Sequence, residues 1–173
     1  MQTIQTRKPA ARIVANTDEW LSEVKRLSDR KTPSFFPIRC QLPLEGRTNQ
    51  VLGATSMMSV VLKTYASGGE NELHAHPNED HLFVIMQGQA EFFGPNDEMK
   101  IVGTNDCVLL PKGSLYWFKA MPGDPLVMLR VGAAPEGESD LLGRIGADGK
   151  PLDGFSAENK EVPLVLDPEQ WFE

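Results

Sequence analysis

The sequence is poor in cysteine and in long apolar runs, and each shortage excludes a class of protein. Its 173 residues include two cysteines, Cys40 and Cys107, too few for a disulfide framework or a thiolate zinc site and compatible with a reducing cytoplasm. No stretch approaches the roughly 20 apolar residues that cross a membrane. Residues 1–9 carry positive charge without an apolar run behind it, unlike a secretory signal. We therefore expect a soluble, cytoplasmic protein with no membrane partner.

Positive charge is also in short supply. The chain has 17 Lys and Arg against 24 Asp and Glu, which gives a net charge of -7. A surface that grips nucleic acid needs clustered Lys and Arg, so we predict no nucleic-acid partner and expect a small molecule or a protein instead.

The length and composition indicate a single domain with arms. With 40% hydrophobic residues, the chain can fill one core but is too short to demand a second full-sized domain. We predict one domain over residues 1–173. It would consist of an arm and a helix over 1–54, a barrel core over about 55–132 and an extended C-terminal arm over 133–173.

One helix and a series of short strands are predicted along the chain. Capping side chains followed by apolar residues at helical spacing predict a helix from about Thr17 to Arg30, with Trp20 packing onto the domain. Short apolar runs separated by turn-forming residues follow between about 57 and 131 and predict an all-β sandwich or barrel. Near the C-terminus, residues 162–166 suit an edge strand and residues 167–171 a final helical turn.

The three histidines of the chain form the candidate site. His74 and His76 are two apart, and such residues on a strand point to the same face, so both imidazoles can be directed at one point. A turn at residues 77–78 can bring His81 beside them. Three imidazoles with an open coordination position are typical of a catalytic metal site. A solvated turn is the alternative interpretation.

The histidine stretch resembles the first motif of the cupin superfamily. That motif is Gly, five residues, His-x-His, three or four residues, Glu, six residues and Gly. In this chain Gly68, His74, His76 and Gly88 stand at the matching spacing, and His81 occupies the glutamate position.

A second stretch resembles the other cupin motif, which is Gly, five residues, Pro-x-Gly, two residues, His, three residues and Asn. The turn is retained at residues 111–113, whereas Asn105, Tyr116 and Ala120 replace the glycine, the histidine and the asparagine. The resemblance covers about residues 55–132. It implies an all-β, double-stranded β-helix, or jelly roll, with a metal inside the barrel mouth.

The resemblance also implies a ligand set. One divalent transition metal would be bound by His74, His76 and His81, with Tyr116 on the metal or beside it; iron is favoured, and zinc, nickel or manganese are alternatives. Asp80 is the reserve candidate for the third ligand, although a one-residue slip turns a strand side chain to the other face. Three roles stay open for Tyr116: metal ligand, general acid or base, and pocket-lining aromatic.

Three further residues are candidates for the substrate pocket: Phe83, Phe118 and Arg130. Strand alternation directs Phe118 inward together with Tyr116. Arg130 interrupts an apolar run, so it either anchors a substrate carboxylate from inside the barrel or forms an ion pair on the outer face. For Phe83, core packing is the default and pocket lining the minority interpretation.

These residues predict a metal-dependent enzyme that acts on a small anionic or oxygen-chelating metabolite. A site without the usual glutamate leaves the ion more positive, which favours anionic ligands. Non-haem iron dioxygenation is slightly favoured. The alternatives are a metal-assisted isomerase or lyase that uses Tyr116 as acid or base, and a non-catalytic small-ligand-binding protein. A homodimer formed through the amino-terminal arm is a family-level expectation.

Overall fold

The computed structural model describes residues 9–137, 143–156 and 163–173. The predicted dimer arm falls largely in residues 1–8, which lie outside the described ranges. Of the predicted edge strand over residues 162–166, only Val162 lies outside them, and Val165 and Leu166 pair antiparallel with Glu45 and Pro43. Within these ranges the chain forms one helix and twelve strands. They are α1 (Thr17–Ser28), β1 (Cys40–Glu45), β2 (Arg47–Ala54), β3 (Met58–Tyr65), β4 (Gly69–Ala75), β5 (Asp80–Gln87), β6 (Gln89–Phe93), β7 (Met99–Gly103), β8 (Cys107–Leu110), β9 (Tyr116–Ala120), β10 (Leu126–Ala133), β11 (Ile145–Gly146) and β12 (Val165–Phe172).

Ten of these strands form two five-stranded antiparallel sheets. The strand orders are β2-β3-β10-β5-β8 and β11-β4-β9-β6-β7. Consecutive strands alternate between the sheets from β3 to β6 and from β7 to β11, as in a jelly roll. The all-β, double-stranded β-helix prediction is therefore confirmed. Both sheets extend beyond the predicted core of about 55–132, because β2 precedes it and β11 follows it.

Helix α1 begins at the predicted residue and ends two residues before the predicted Arg30. The side chain of Asn16 accepts a hydrogen bond from the backbone N–H of Glu19 at 2.9 Å and so caps the first turn. The buried face consists of Trp20, Val24 and Leu27. This face packs with Val51 of strand β2, which brings the indole of Trp20 to the barrel. Among the described residues, no helix has the length and apolar character needed to span a membrane.

The predicted helical turn over residues 167–171 is wrong. These residues belong to strand β12, which pairs antiparallel with β1 and shows register irregularities along the pair. The Asp167 carboxylate accepts backbone N–H groups of Glu169 at 2.9 Å and of Gln170 at 3.3 Å. The Asp-Pro pair that suggested a helix start thus forms a local turn within an irregular strand.

An aromatic core fills the space between the sheets below the histidines. The rings of Phe92 and Phe118 stack with centroids 5.0 Å apart, and the ring of Phe83 lies 5.9 Å from that of Phe118. The centroid of Phe83 is also 6.2 Å from His81 and 6.1 Å from Tyr116. The aromatic core therefore packs directly against the candidate site.

A glycine at the start of β4 permits a close approach of two strands. A Cβ at Gly69 would overlap the backbone oxygen of Phe118 and lie 2.8 Å from Cα of Lys119. Because backbone on the neighbouring strand cannot yield as a side chain can, we expect Gly69→Ala to lower the free energy of unfolding by about 1–3 kcal/mol or more. Urea denaturation measures this change.

The matched control for that substitution is Gly103→Ala. A Cβ at Gly103 meets its nearest neighbour, Cγ of Gln89, at 3.5 Å, which is an ordinary contact. We expect a change of less than about 1 kcal/mol there. Equal stability of the Gly69 and Gly103 variants would contradict the close strand approach.

Candidate metal centre

The fold brings the four predicted site residues together. His74 lies near the end of β4, His76 directly follows that strand, and His81 is the second residue of β5. The ring centroids of His74 and His76 are 5.3 Å apart, and those of His76 and His81 are 4.0 Å apart. Tyr116 pairs with His74 across β9 and β4, and their rings are 4.4 Å apart. All four side chains are buried.

Glu70, which was not predicted, completes a group of possible metal ligands. Glu70, His74 and His76 each place one ligand atom within 4.8 Å of the others. A register irregularity in β4 between Glu70 and His74 brings Oε2 of Glu70 to 3.2 Å from Nε2 of His74. The sequence held a signal for this residue, because positions 70, 74 and 76 are all separated by even numbers and share one face of a regular strand.

Two cations keep the Glu70 carboxyl ionised. Its Oε1 pairs with Nζ of Lys63, and its Oε2 lies 3.6 Å from Nη2 of Arg144. Burial opposes ionisation, but the charges of Lys63 and Arg144 prevail and hold the pKa of Glu70 well below its ordinary value. Burial also lowers the pKa of Lys63, to about 8, against the opposing effect of Glu70. A carboxylate oxygen is thus available beside two imidazoles.

Both imidazoles of the group have a nitrogen without a hydrogen-bond partner in the described ranges. Nδ1 of His74 lies 2.7 Å from the carbonyl oxygen of Glu72 and 2.9 Å from Nη2 of Arg144. In the tautomer in which Nδ1 carries the proton and donates it to that carbonyl, Nε2 is a lone-pair donor, the arrangement common in metal-binding histidines. Burial, with the charges of His81 and other neighbours, holds the pKa of His76 well below its ordinary value. Its imidazole is neutral, and its Nδ1 has no partner in the described part.

This donor set fits a divalent transition metal. Two neutral imidazoles and one carboxylate form the ligand class of non-haem iron(II) enzymes and of some catalytic zinc sites. The unpartnered nitrogens of His74 and His76 would gain a partner on metal binding. Among the described residues, Glu70, His74 and His76 therefore form a group that could hold one ion.

His81 lies beside this group but is engaged elsewhere. Its Nε2 is 2.8 Å from Nη2 of Arg130 and 3.2 Å from Oε2 of Glu79. Burial and the Arg130 charge lower the pKa of His81, so its neutral Nε2 can accept the Arg130 proton. Ligation by His81 stays a prediction and requires this contact to open. The reserve candidate, Asp80, is exposed and accepts the backbone N–H of Lys112 at 2.8 Å, away from the histidines.

Tyr116 is held as a protonated phenol. Burial and the nearby Glu70 carboxylate raise its pKa well above the ordinary value. Its hydroxyl donates to Oε2 of Glu70 at 3.4 Å. Among the three roles left open by the sequence, this environment favours a proton-holding group over a phenolate ligand.

A cavity adjoins the metal-ligand group and encloses about 420 Å³, counted out to its opening. Arg130 lines it and also forms an ion pair with Glu79. This pair is buried and does not lie on the outer face, as the alternative had it. Phe83 and Phe118 lie apart from this cavity, and their role in a substrate pocket stays a prediction. Both are 0% exposed within the aromatic core, so their neighbours enclose them and neither lines the cavity in the described structure.

Several cavity residues come from outside the predicted barrel core. Helix α1 contributes Trp20, strand β2 contributes Arg47 and Asn49, and the C-terminal segment contributes Arg144 and Phe155. The sequence signal for Trp20 indicated only helix packing. For Arg144 and Phe155 there was no local signal, because they stand in a segment whose turns predict no element.

The family model described as "Cupin domain" matches residues 61–132, which run from within β3 to within β10. This match and the two antiparallel sheets define the class of the barrel: residues 61–132 form a cupin domain, as the resemblance of the two motifs implied.

Individual relatives match over parts of the chain. The uncharacterized protein YdbB of Bacillus subtilis (strain 168) is 33% identical over 48 residues, which are 28% of this chain and 42% of that protein's length. A protein with a double-stranded β-helix domain from Klebsiella pneumoniae is 16% identical, with a TM-score of 0.48, over 80% of this chain and 93% of its own. KdgF from Halomonas sp. is 20% identical, with a TM-score of 0.44, over 51% of this chain and 81% of its own.

Proposed function

We propose that this cupin is a metal-dependent enzyme acting on a small anionic metabolite whose oxygen atoms chelate a metal. The observation that carries the proposal is the buried group of Glu70, His74 and His76, which opens on a cavity through Glu70 and His76.

The charge of the cavity wall supports an anionic substrate. Four cationic residues line it (Arg47, Lys63, Arg130 and Arg144), against the single carboxylate of Glu70. This positive cavity lies in a chain of net charge -7, so it differs in sign from the protein as a whole. A low-dielectric cleft of one sign concentrates ligands of the opposite sign, and a bound divalent ion strengthens that preference.

Non-haem iron dioxygenation is the reaction we propose first. Two histidines with one carboxylate are typical of iron(II) oxygenases, and the ion would supply Lewis acidity and redox chemistry when bound. In this site His74, His76 and Glu70 would hold the ion, and the ion pair with Lys63 would keep the Glu70 carboxylate in place. The aromatic core beneath them excludes water from one side.

A metal-assisted isomerase or lyase is the second candidate, and the position of Tyr116 favours it. The phenol lines the cavity and its hydroxyl reaches the Glu70 carboxylate at 3.4 Å. A proton held there can be given to a substrate atom at the same wall, which is general acid catalysis.

The remaining parts of the proposal concern the ion, the compartment and the assembly. We propose one divalent transition metal, with iron favoured and zinc, nickel or manganese as alternatives. The two cysteines, Cys40 and Cys107, are free, which supports a cytoplasmic location. The homodimer stays a prediction.

Elemental analysis of protein purified without an affinity tag tests the metal site. We expect about one transition metal per chain in the wild type and its loss in His76→Ala, because that substitution removes one of three donors. Asp80→Asn is the matched control, since its side chain lies outside the site, and should retain the metal. A wild type without metal in every preparation would refute the proposal.

Turnover then separates the reaction types. Oxygen uptake by iron-loaded protein with diketones, catechols or keto acids supports dioxygenation. Turnover that requires the metal but no oxygen, and that is lost in Tyr116→Phe, supports the isomerase or lyase. Stoichiometric ligand binding without turnover under any metal identifies a non-catalytic binding protein.

A further inference from the structure

Five buried polar atoms in the cavity wall lack a hydrogen-bond partner within the described residues. Two of them, Nδ1 of His76 and Nε of Arg144, belong to residues at the metal-ligand group, and the other three are Nε1 of Trp20, Oδ1 of Asn49 and Nε of Arg130. These last three residues are 3%, 7% and 3% exposed. Leaving such groups unpaired is costly, and buried polar groups are normally satisfied. Because all three residues line the cavity, a ligand bound there can supply the missing partners.

Two of the unpartnered donors, the N–H groups of Trp20 and Arg130, lie on the same side of the site. The guanidinium of Arg130 lies over the indole of Trp20, with Cζ 5.9 Å from the ring centroid. Nη2 of Arg130 already contacts Glu79 and His81. These contacts fix the orientation of the guanidinium group and leave its Nε–H without a partner among the described residues. Phe155 packs edge-on against Trp20 at 6.3 Å and restrains the indole. One cationic and one neutral N–H donor together suit the oxygens of a carboxylate.

The third unpartnered atom, Oδ1 of Asn49, is an acceptor and needs a donor from the ligand. A carboxylate has none, and a fully ionised phosphate has none either. A hydroxyl group on the same small molecule provides the donor. The wall therefore matches a ligand that combines a carboxylate with a hydroxyl.

We infer that the cavity binds a small hydroxycarboxylate. Its carboxylate would meet Arg130 and Trp20, and its hydroxyl would meet Asn49. That this ligand is the substrate rests on the proposed function, whereas the binding itself requires no metal. Two of these residues, Trp20 and Asn49, precede the segment matched by the cupin family model, so recognition depends on parts of the chain added to the common barrel.

The test is a titration of the metal-free full-length chain, stripped with a chelator, with lactate and propionate. Propionate is lactate without the hydroxyl group. We expect lactate to bind in a 1:1 complex about tenfold more tightly than propionate, because of the two only lactate satisfies both the donors and the acceptor. Nuclear magnetic resonance provides the readout at the site: the indole N–H signal of Trp20 should shift with lactate.

Matched variants test whether these residues of the cavity wall bind the lactate. Trp20→Phe retains the ring and removes the N–H, and we expect about fivefold to tenfold weaker lactate binding. Trp117→Phe is the control, because Trp117 stacks on Phe93 at 3.9 Å and is not among the residues that line the cavity; its lactate affinity should equal that of the wild type.

Each alternative result overturns the inference: no carboxylate binding, equal affinity for lactate and propionate, or unchanged affinity in Trp20→Phe. Failure of this inference is separable from failure of the proposed function. If the protein holds one metal but does not bind lactate, the inferred ligand class is wrong and the proposed metal-dependent function stands. If it binds lactate but never holds a metal, the proposed function is wrong and the inferred ligand class stands.

Discussion

Replacing Glu70 with glutamine is expected to abolish tight binding of a divalent metal. Glutamine keeps the size of the side chain but removes the only negative charge among the three donors that the structure groups together. Loss of an outer-shell partner of a metal site commonly costs about 10- to 100-fold in affinity, and loss of a charged ligand should exceed that. Competition with a chromogenic chelator measures the affinity.

The control for this substitution is Glu72→Gln on the same strand. The side-chain Oε2 of Glu72 accepts a hydrogen bond from Ser156 at 3.3 Å, and Glu72 is not part of the ligand group. We expect its metal affinity to stay within about threefold of the wild type, well below the effect of losing an outer-shell partner.

A third variant, His81→Asn, decides between the two ligand sets. The sequence frame assigns the third ligand to His81, and the structure groups Glu70 with His74 and His76 instead. Loss of metal in His81→Asn together with retention in Glu70→Gln would restore the predicted set and contradict the structural one.

Replacing Glu79 with alanine should produce a large loss of stability. Glu79 is 1% exposed, and its Oε2 lies 3.1 Å from Nη2 of Arg130, which is itself buried. Removing one partner of a buried ion pair leaves the other charge uncompensated and costs about 3–5 kcal/mol. Urea denaturation should show a correspondingly lower free energy of unfolding.

Two further variants make this prediction specific. Glu91→Gln removes the carboxylate of the Glu91–Lys119 pair, whose lysine is 47% exposed, and such surface pairs contribute about 0–1 kcal/mol. The double variant Glu79→Leu with Arg130→Met removes both buried charges and should recover part of the loss. A Glu79→Ala protein as stable as the Glu91→Gln protein would show that Glu79 does not balance Arg130.

The sequence was sufficient for the barrel and for part of the site. Apolar runs between turn residues predict strands whatever their partners, because alternation and turn chemistry are local. The same local rule predicts that His74 and His76 share a face. It also predicts that Tyr116 and Phe118 point inward, and both are buried in strand β9.

The contacts around the histidines could not be predicted in the same way. The Arg130–His81 contact joins residues 49 positions apart, and the contact of Arg144 with His74 spans 70 positions. No local pattern encodes such pairs, since they depend on how two sheets and a C-terminal segment pack. Glu70 is an intermediate case: regular alternation places it on the face of His74 and His76, whereas the register irregularity between Glu70 and His74 is not revealed by that rule.

The cavity is assembled from two parts of the chain that can diverge independently. The barrel supplies the possible metal ligands, whereas Trp20, Arg144 and Phe155 lie outside residues 61–132. Substitutions in helix α1 or in the C-terminal segment can therefore change what the cavity accepts while the barrel and its histidines stay as they are. Proteins that match this chain only across the barrel can share its fold and differ in ligand, so selectivity in such a lineage can evolve without rebuilding the core.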